Sequence, residues 1–116
     1  MLSDPLVERI AVQQAADRAR AARLRALVPE LARRLRERGA TRVVLFGSLA
    51  TGTEPHEGTD VDLCVRGLDD DARAEATLEL EALTDADVDI VAEERASPRL
   101  LARIGREGIE VGDVAR

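Results

Sequence analysis

Asp60 and Asp62 stand two residues apart in the segment Asp60-Val61-Asp62-Leu63, and Asp89 lies in Val88-Asp89-Ile90-Val91. Both segments alternate acidic with apolar residues, the pattern of a strand with one buried face. Two residues of strand rise separate the Asp60 and Asp62 backbone positions by about 6.6–7 Å, and both side chains project from one face. If the second strand is a neighbour in the same sheet, Asp60, Asp62 and Asp89 gather at one place. Three such carboxylates repel unless a divalent cation neutralises them, and Mg²⁺ is the hard, oxygen-seeking ion that keeps coordination positions open for phosphate. Gly47-Ser48 supplies a complementary part. Glycine after a buried strand permits a tight turn and a close backbone approach to an anion, and the Ser48 hydroxyl adds a donor for a phosphate oxygen. The chemistry these residues suit is metal-assisted phosphoryl-type transfer. Metal stabilises the attacking and leaving oxygens, and the carboxylate least tied to it takes a proton from the incoming hydroxyl.

The elements that must position these groups follow from periodicity. Ser3-Asp4-Pro5 reads as a helix start. Leu6, Ile10, Ala15, Ala19, Ala22 and Leu27 then mark a weak helical stripe, with Arg18, Arg20, Arg23 and Arg25 on the other faces. Val28-Pro29 predicts a break, because proline disfavours helix in the residue before it. A second helix runs from Pro29 to about Arg38 with Val28, Leu31 and Leu35 on one face, closed by Gly39. Thr41–Phe46 is a buried strand ending at Gly47-Ser48, and 51–59 is a loop. The strand at 60–66 sets Val61, Leu63 and Val65 on one face and Asp60, Asp62, Cys64 and Arg66 on the other. An acidic helix begins at Asp69-Asp70-Asp71 and reaches about Leu83, its acids suited to the positive end of the helix dipole. The strand at 87–91 places Asp87 beside Asp89, as a strand-start residue or a supporting carboxylate. Ser97-Pro98 opens a last helix to about Arg106, and Ile109–Val111 adds a short edge strand. The expected fold is α/β (α+β): a small mixed β-sheet flanked by helices with an N-terminal helical segment. It divides into an Arg-rich helix over 1–28 and the main domain over 29–116.

Bulk properties bound the possibilities. The 116 residues make one domain with a core of Leu, Val, Ile and Ala, since Phe46 is the only aromatic residue. All 17 basic residues are Arg. The net charge of −6 conceals an asymmetry: residues 1–42 are net +5 and residues 43–116 net −11. That asymmetry suggests internal pairing or a partner surface, and argues against direct nucleic-acid binding, because the acidic part repels phosphate unless metal intervenes. Cys64 is alone, which excludes an internal disulfide, and it packs as a small apolar residue. No signal peptide or membrane span is evident, so a cytoplasmic location is expected. His56, in the loop before the aspartates, is read as a surface residue.

Gly47-Ser48, eleven intervening residues, Asp60-Val61-Asp62-Leu63 and the later Asp89 together resemble the DNA polymerase beta-type nucleotidyltransferase superfamily. Phe46-Gly47-Ser48-Leu49-Ala50-Thr51-Gly52 and Gly58-Thr59-Asp60-Val61-Asp62-Leu63 are most similar to its minimal (MNT) members, over roughly Val28 to Val111. The resemblance implies that Gly47 and Ser48 bind the nucleotide phosphates. It implies that Asp60, Asp62 and Asp89 form the catalytic, metal-binding set, with Mg²⁺ as cofactor and ATP as substrate. Many MNT proteins are antitoxins paired with a HEPN-type ribonuclease toxin, and some transfer AMP to a toxin tyrosine. A HEPN-type partner is therefore implied here, in a homo- or hetero-oligomer. Two positions depart from the family pattern: Thr51 stands where many members carry Arg, and Thr59 where Ser is common. Neither removes a metal ligand.

Three functions fit these residues. One is AMP transfer to a hydroxyl of a partner protein. Another is a binding module that neutralises a toxin by covering it, favoured by the basic N-terminal helices. A weaker third is nucleotidylation of a small, antibiotic-like molecule, which ordinarily needs an additional substrate domain. The chain contains no Tyr, so a tyrosine acceptor must lie on another protein.

Overall fold

The computed structural model describes residues 4–52 and 60–112. Their elements are, in order, helix α1 (Pro5–Glu37), strand β1 (Arg42–Phe46), the one-turn helix α2 (Ser48–Thr51), strand β2 (Val61–Arg66), helix α3 (Asp70–Thr84), strand β3 (Val88–Ala92), a 3₁₀ turn (Glu93–Arg95), helix α4 (Pro98–Glu107) and the short strand β4 (Ile109–Glu110). The mixed sheet has the order β3-β2-β1-β4. β1 is antiparallel to both β2 and β4, whereas β2 and β3 are parallel. A parallel pair needs a crossover, and α3 provides it.

Strand alternation divides the sheet into two unequal faces. Val43, Leu45, Val61, Leu63, Val65, Val88 and Ile90 point toward α1 and α3, where they join Leu24, Val28, Leu31, Leu35, Ala76 and Leu80 in the main core. The opposite face carries a smaller cluster of Val44, Phe46, Cys64 and Ile104, with Val91 and Leu100 packed against it. This second face is covered by α4 and is the one from which Asp62 and Asp89 project.

Helix α1 corrects two expectations. It runs unbroken through Pro29, because the residues around that position are held by packing: Val28, Leu31 and Ala32 are buried, while Pro29 itself is exposed. Tertiary burial outweighs local propensity here. Its buried stripe is Asp17, Ala21, Leu24, Val28, Leu31 and Leu35, whereas Ala15, Ala19 and Ala22 are exposed. The spacing of four and three keeps one seam against the domain over five turns. Before Asp17 the helix leaves the domain behind; Leu6, Val7, Ile10 and Val12 are exposed.

Other elements follow sequence signals closely. Asp69 caps α3 by accepting from the Ala72 N–H at 2.8 Å, and Ser97 caps α4 by accepting from Leu100 N–H at 3.1 Å. Gly39, at φ 118°, turns the chain after α1. Thr51, expected to open the loop over 51–59, instead ends a helical turn, Ser48–Thr51, anchored by buried Leu49. The rest of that loop over 53–59, with His56 and Thr59, lies outside the described residues.

Opposite charges in the two halves of the chain do pair. Arg34 reaches Glu79 at 2.6 Å, Arg38 reaches Glu79 at 2.9 Å and Glu75 at 3.1 Å, and Arg42 joins Glu93 at 2.7 Å and Glu110 at 2.9 Å. Other α1 arginines close helix ends: Arg23 donates to the Thr84 carbonyl at 3.2 Å and Arg25 to the Leu49 carbonyl at 3.1 Å. Among the described residues, no helix is long and apolar enough to cross a membrane.

Candidate active site

The site forms where β1 ends beside β2 and β3. In the register, Phe46 lies opposite Asp62, and Asp62 lies opposite Asp89. Parallel neighbours stand about 4.8 Å apart, so carboxylates at paired positions share a small space on the α4 face. Asp60 immediately precedes β2, projects to the same side by alternation, and is exposed, as is Asp89; Asp62 is half-buried.

Gly47 follows Phe46 with φ 75° and ψ −159°, a conformation open in practice only to glycine. Space demands glycine as well. A Cβ there would meet the Asp62 Oδ2 at 2.2 Å and its Cγ at 3.1 Å. The Gly47 backbone is therefore packed directly on the Asp62 carboxylate. Ser48 opens α2, whose first backbone N–H groups have no acceptor within the helix. Buried Leu49 and the Arg25 bond to its carbonyl fix this turn to α1 and the core.

The electrostatics report the same convergence. The Asp62 carboxyl is pushed above its ordinary range by burial first, then by the negative charges of Asp89 and Asp60. Arg103 opposes this shift, and Glu107 adds to it. Burial likewise raises the Cys64 thiol, which packs in the α4-side cluster and is free of disulfide bonding. Asp87 precedes β3; its carbonyl accepts the Val61 N–H at 3.0 Å and its exposed side chain shares an open groove with Asp60, Glu81 and Asp85.

Among the described residues, no three His, Cys, Asp or Glu side chains already close around a point where an ion would sit. The donor chemistry nevertheless fits a hard divalent cation. All the donors are carboxylate oxygens, two of them in register on neighbouring strands and close enough to raise the proton affinity of Asp62.

Two side chains at this site were missed by the sequence reading. Glu107 accepts the Gly47 N–H at 3.3 Å through Oε1, and Arg103 pairs with Glu107 at 3.2 Å. The Arg103 guanidinium lies over the Phe46 ring, 5.6 Å from its centroid. A signal existed: Leu100, Arg103, Ile104 and Glu107 follow helical spacing and share one face. Nothing in the sequence said which layer of the sheet that face would meet.

The sequence matches the family described as Polymerase beta, Nucleotidyltransferase over residues 30–113. A solved structure described as a minimal nucleotidyltransferase is 37% identical, with a TM-score of 0.66 over 77% of this chain and 93% of that one. A toxin–antitoxin structure with AMP-PNP is 29% identical, at a TM-score of 0.64 over 75% and 74% of the two chains. A structure of the tri-AMPylated Shewanella oneidensis HEPN toxin in complex with MNT antitoxin is 27% identical, at 0.59 over 75% and 71%. No match is found among curated proteins. With the family matched over most of its length, and the glycine-serine turn packed on the strand-borne aspartates, this chain belongs to the polymerase beta-type nucleotidyltransferases, in their minimal MNT group.

Proposed function

We propose that this chain moves AMP from ATP to a hydroxyl of a partner protein, a HEPN-type toxin that it thereby neutralises. The single observation that carries the reading is the register of Asp62 with Asp89 beside the close-packed Gly47. The similar toxin–antitoxin structures, one with AMP-PNP and one with an AMPylated toxin, support the choice of nucleotide and acceptor. Residues 1–28 are then the Arg-rich N-terminal helical segment, whose second half packs on the sheet, and 29–116 the catalytic domain, working in the cytoplasm, where ATP is available.

In this reading Asp60, Asp62 and Asp89 hold Mg²⁺, which when bound neutralises the carboxylates and the phosphates and stabilises charge on the attacking and leaving oxygens. Gly47 lets the chain approach the triphosphate without a side chain in the way, and the Ser48 hydroxyl and α2 amides donate to its oxygens. The acceptor oxygen forms a bond to the α-phosphorus. The bond from that phosphorus to the bridging oxygen of the β-phosphate breaks, and pyrophosphate leaves with the electron pair. The hydroxyl proton passes to the carboxylate least engaged with metal. Because the chain has no Tyr, a tyrosine acceptor belongs to the partner.

Incubation with α-labelled ATP, Mg²⁺ and a HEPN-type partner tests this directly. Label should appear on the partner and vanish with Asp60→Ala or Asp62→Ala. A stable complex whose inhibition of the toxin survives both substitutions, with no label transferred, would instead favour neutralisation by covering. Similar structures are themselves toxin–antitoxin assemblies, which keeps that second reading in view.

A further inference from the structure

One carboxylate oxygen on α4 serves two groups of the site. Glu107 Oε1 accepts the Gly47 N–H at 3.3 Å and also the Arg103 Nε–H at 3.2 Å; Oε2 accepts the same Arg103 hydrogen at 3.2 Å. Arg103 is stacked on Phe46, the residue immediately before Gly47 and opposite Asp62 in the register. Its side chain is 47% exposed and that of Glu107 27%, so both can move without unpacking the core. Arg99 and Arg106 line one shallow groove with Arg103. They lie four residues before it and three after, which puts all three on one side of α4.

A carboxylate on a backbone amide beside a glycine-serine turn occupies the place an incoming anion would take. The same carboxylate neutralises the nearest arginine. We propose that Arg103 is a phosphate-binding residue for the nucleotide's triphosphate tail, held in reserve by Glu107 until the nucleotide displaces that carboxylate from Gly47. Guanidinium pairs with phosphate through two parallel hydrogen bonds, and a triphosphate carries more charge than one carboxylate, so the exchange runs toward the nucleotide. The inference rests on the nucleotidyl-transfer reading and assigns a residue which that reading does not use.

Binding of Mg-ATP and of AMP, measured by titration calorimetry on the full chain, separates the possibilities. Arg103→Ala should weaken Mg-ATP about ten-fold, the worth of one charge-assisted hydrogen bond, and leave AMP unchanged. Arg103→Lys should recover part of the loss, which guards against misfolding of the alanine variant. Glu107→Gln should tighten Mg-ATP by roughly three-fold, since the competing charge is gone. Equal losses for ATP and AMP in Arg103→Ala, or weaker Mg-ATP binding by Glu107→Gln, would overturn the assignment and leave the pair as a strap between α4 and β1. If the wild-type chain binds no Mg-ATP, the nucleotidyl-transfer reading falls together with it. If the wild type binds and Arg103→Ala binds as tightly, only the role of Arg103 is lost.

Discussion

At the scale of single residues the site is built on conflict between packing and charge. Gly47 is there for two reasons, its backbone conformation and the absence of room beside Asp62. Gly47→Ala should therefore cost about 1–3 kcal/mol of stability from backbone strain and also displace the Asp62 carboxylate. A displacement of that size should lower transfer roughly 100-fold, read from kcat alongside a urea midpoint. Asp62 makes the opposite kind of contribution. Its proton affinity is raised in the folded state, so its favourable share of stability is complete below the unfolded carboxylate pKa and is lost as pH rises through the folded value. At neutral pH, without metal, the ionised group opposes folding. Asp62→Asn should accordingly raise the melting temperature in Mg²⁺-free buffer, by a margin that widens from pH 4 to pH 7 and narrows when Mg²⁺ is added. The same variant should lose transfer altogether. A thermal melt showing the variant less stable at pH 7 without Mg²⁺ would contradict this account.

At the scale of elements, α1 is the scaffold on which the phosphate turn is hung. Its buried seam holds the sheet, Arg25 holds the end of α2, and the helix absorbs a proline without breaking. Pro29 cannot donate to the carbonyl four residues earlier, and its ring crowds that turn. Because the position is exposed, Pro29→Ala restores the bond without leaving a cavity, and a gain of about 1–3 kcal/mol is expected by chemical denaturation. Leu24→Ala, at a fully buried position of the seam, should lose about 2–5 kcal/mol in the same measurement. Gly108 is a second point where an element has no slack. It joins α4 to β4, and a Cβ there would meet the Ile104 carbonyl at 2.4 Å and Val44 Cγ1 at 2.6 Å. Gly108→Ala should pull Glu107 away from Gly47 and detach β4 from β1, visible as faster amide exchange at Val111, whose N–H is donated to the Val43 carbonyl at 2.9 Å.

At the scale of the whole molecule, the basic first third and the acidic remainder are stitched together by ion pairs. Glu30 is held down to about 2 by its hydrogen bonds with Arg33 and Arg34, and Glu79 is lowered by Arg34 and Arg38. Burial works to raise Glu93, but its bonds to Arg66 and Arg42 outweigh that and leave it lowered. A lowered carboxylate stabilises the fold above the unfolded pKa and loses that contribution as pH falls through the folded value. Stability should thus decline below about pH 4.5, toward 2, where the pairs with α1 are protonated away. Glu79→Gln should start from lower stability at pH 7 and lose less of it on acidification, as read by denaturant midpoints across that range. Exposure and salt screening keep each pair modest, so raising ionic strength should shrink the difference between the two proteins.

Residue type and spacing determined much of this. Alternation alone set Asp60 and Asp62 on one face of a strand, away from Val61, Leu63 and Val65, because side-chain direction in a strand has a period of two. Local capping chemistry announced the starts of α3 and α4 at Asp69 and Ser97, and the glycine after β1 marked the turn. Long-range geometry was left to the fold. That β3 lies parallel to β2, with Asp89 beside Asp62, depends on a crossover whose route no local signal encodes. Helix α1 stayed whole across Pro29, and its seam fell on Asp17, Ala21 and Leu24 instead of Ala15, Ala19 and Ala22, because burial against the sheet outweighed a weak local pattern. Arg103 and Glu107 joined the site only once α4 had been laid on the carboxylate-bearing face. Short-range order follows from the dihedral preferences and alternation of neighbouring residues, while contacts between distant segments are chosen by which surfaces bury together, and that choice exists only in the assembled core.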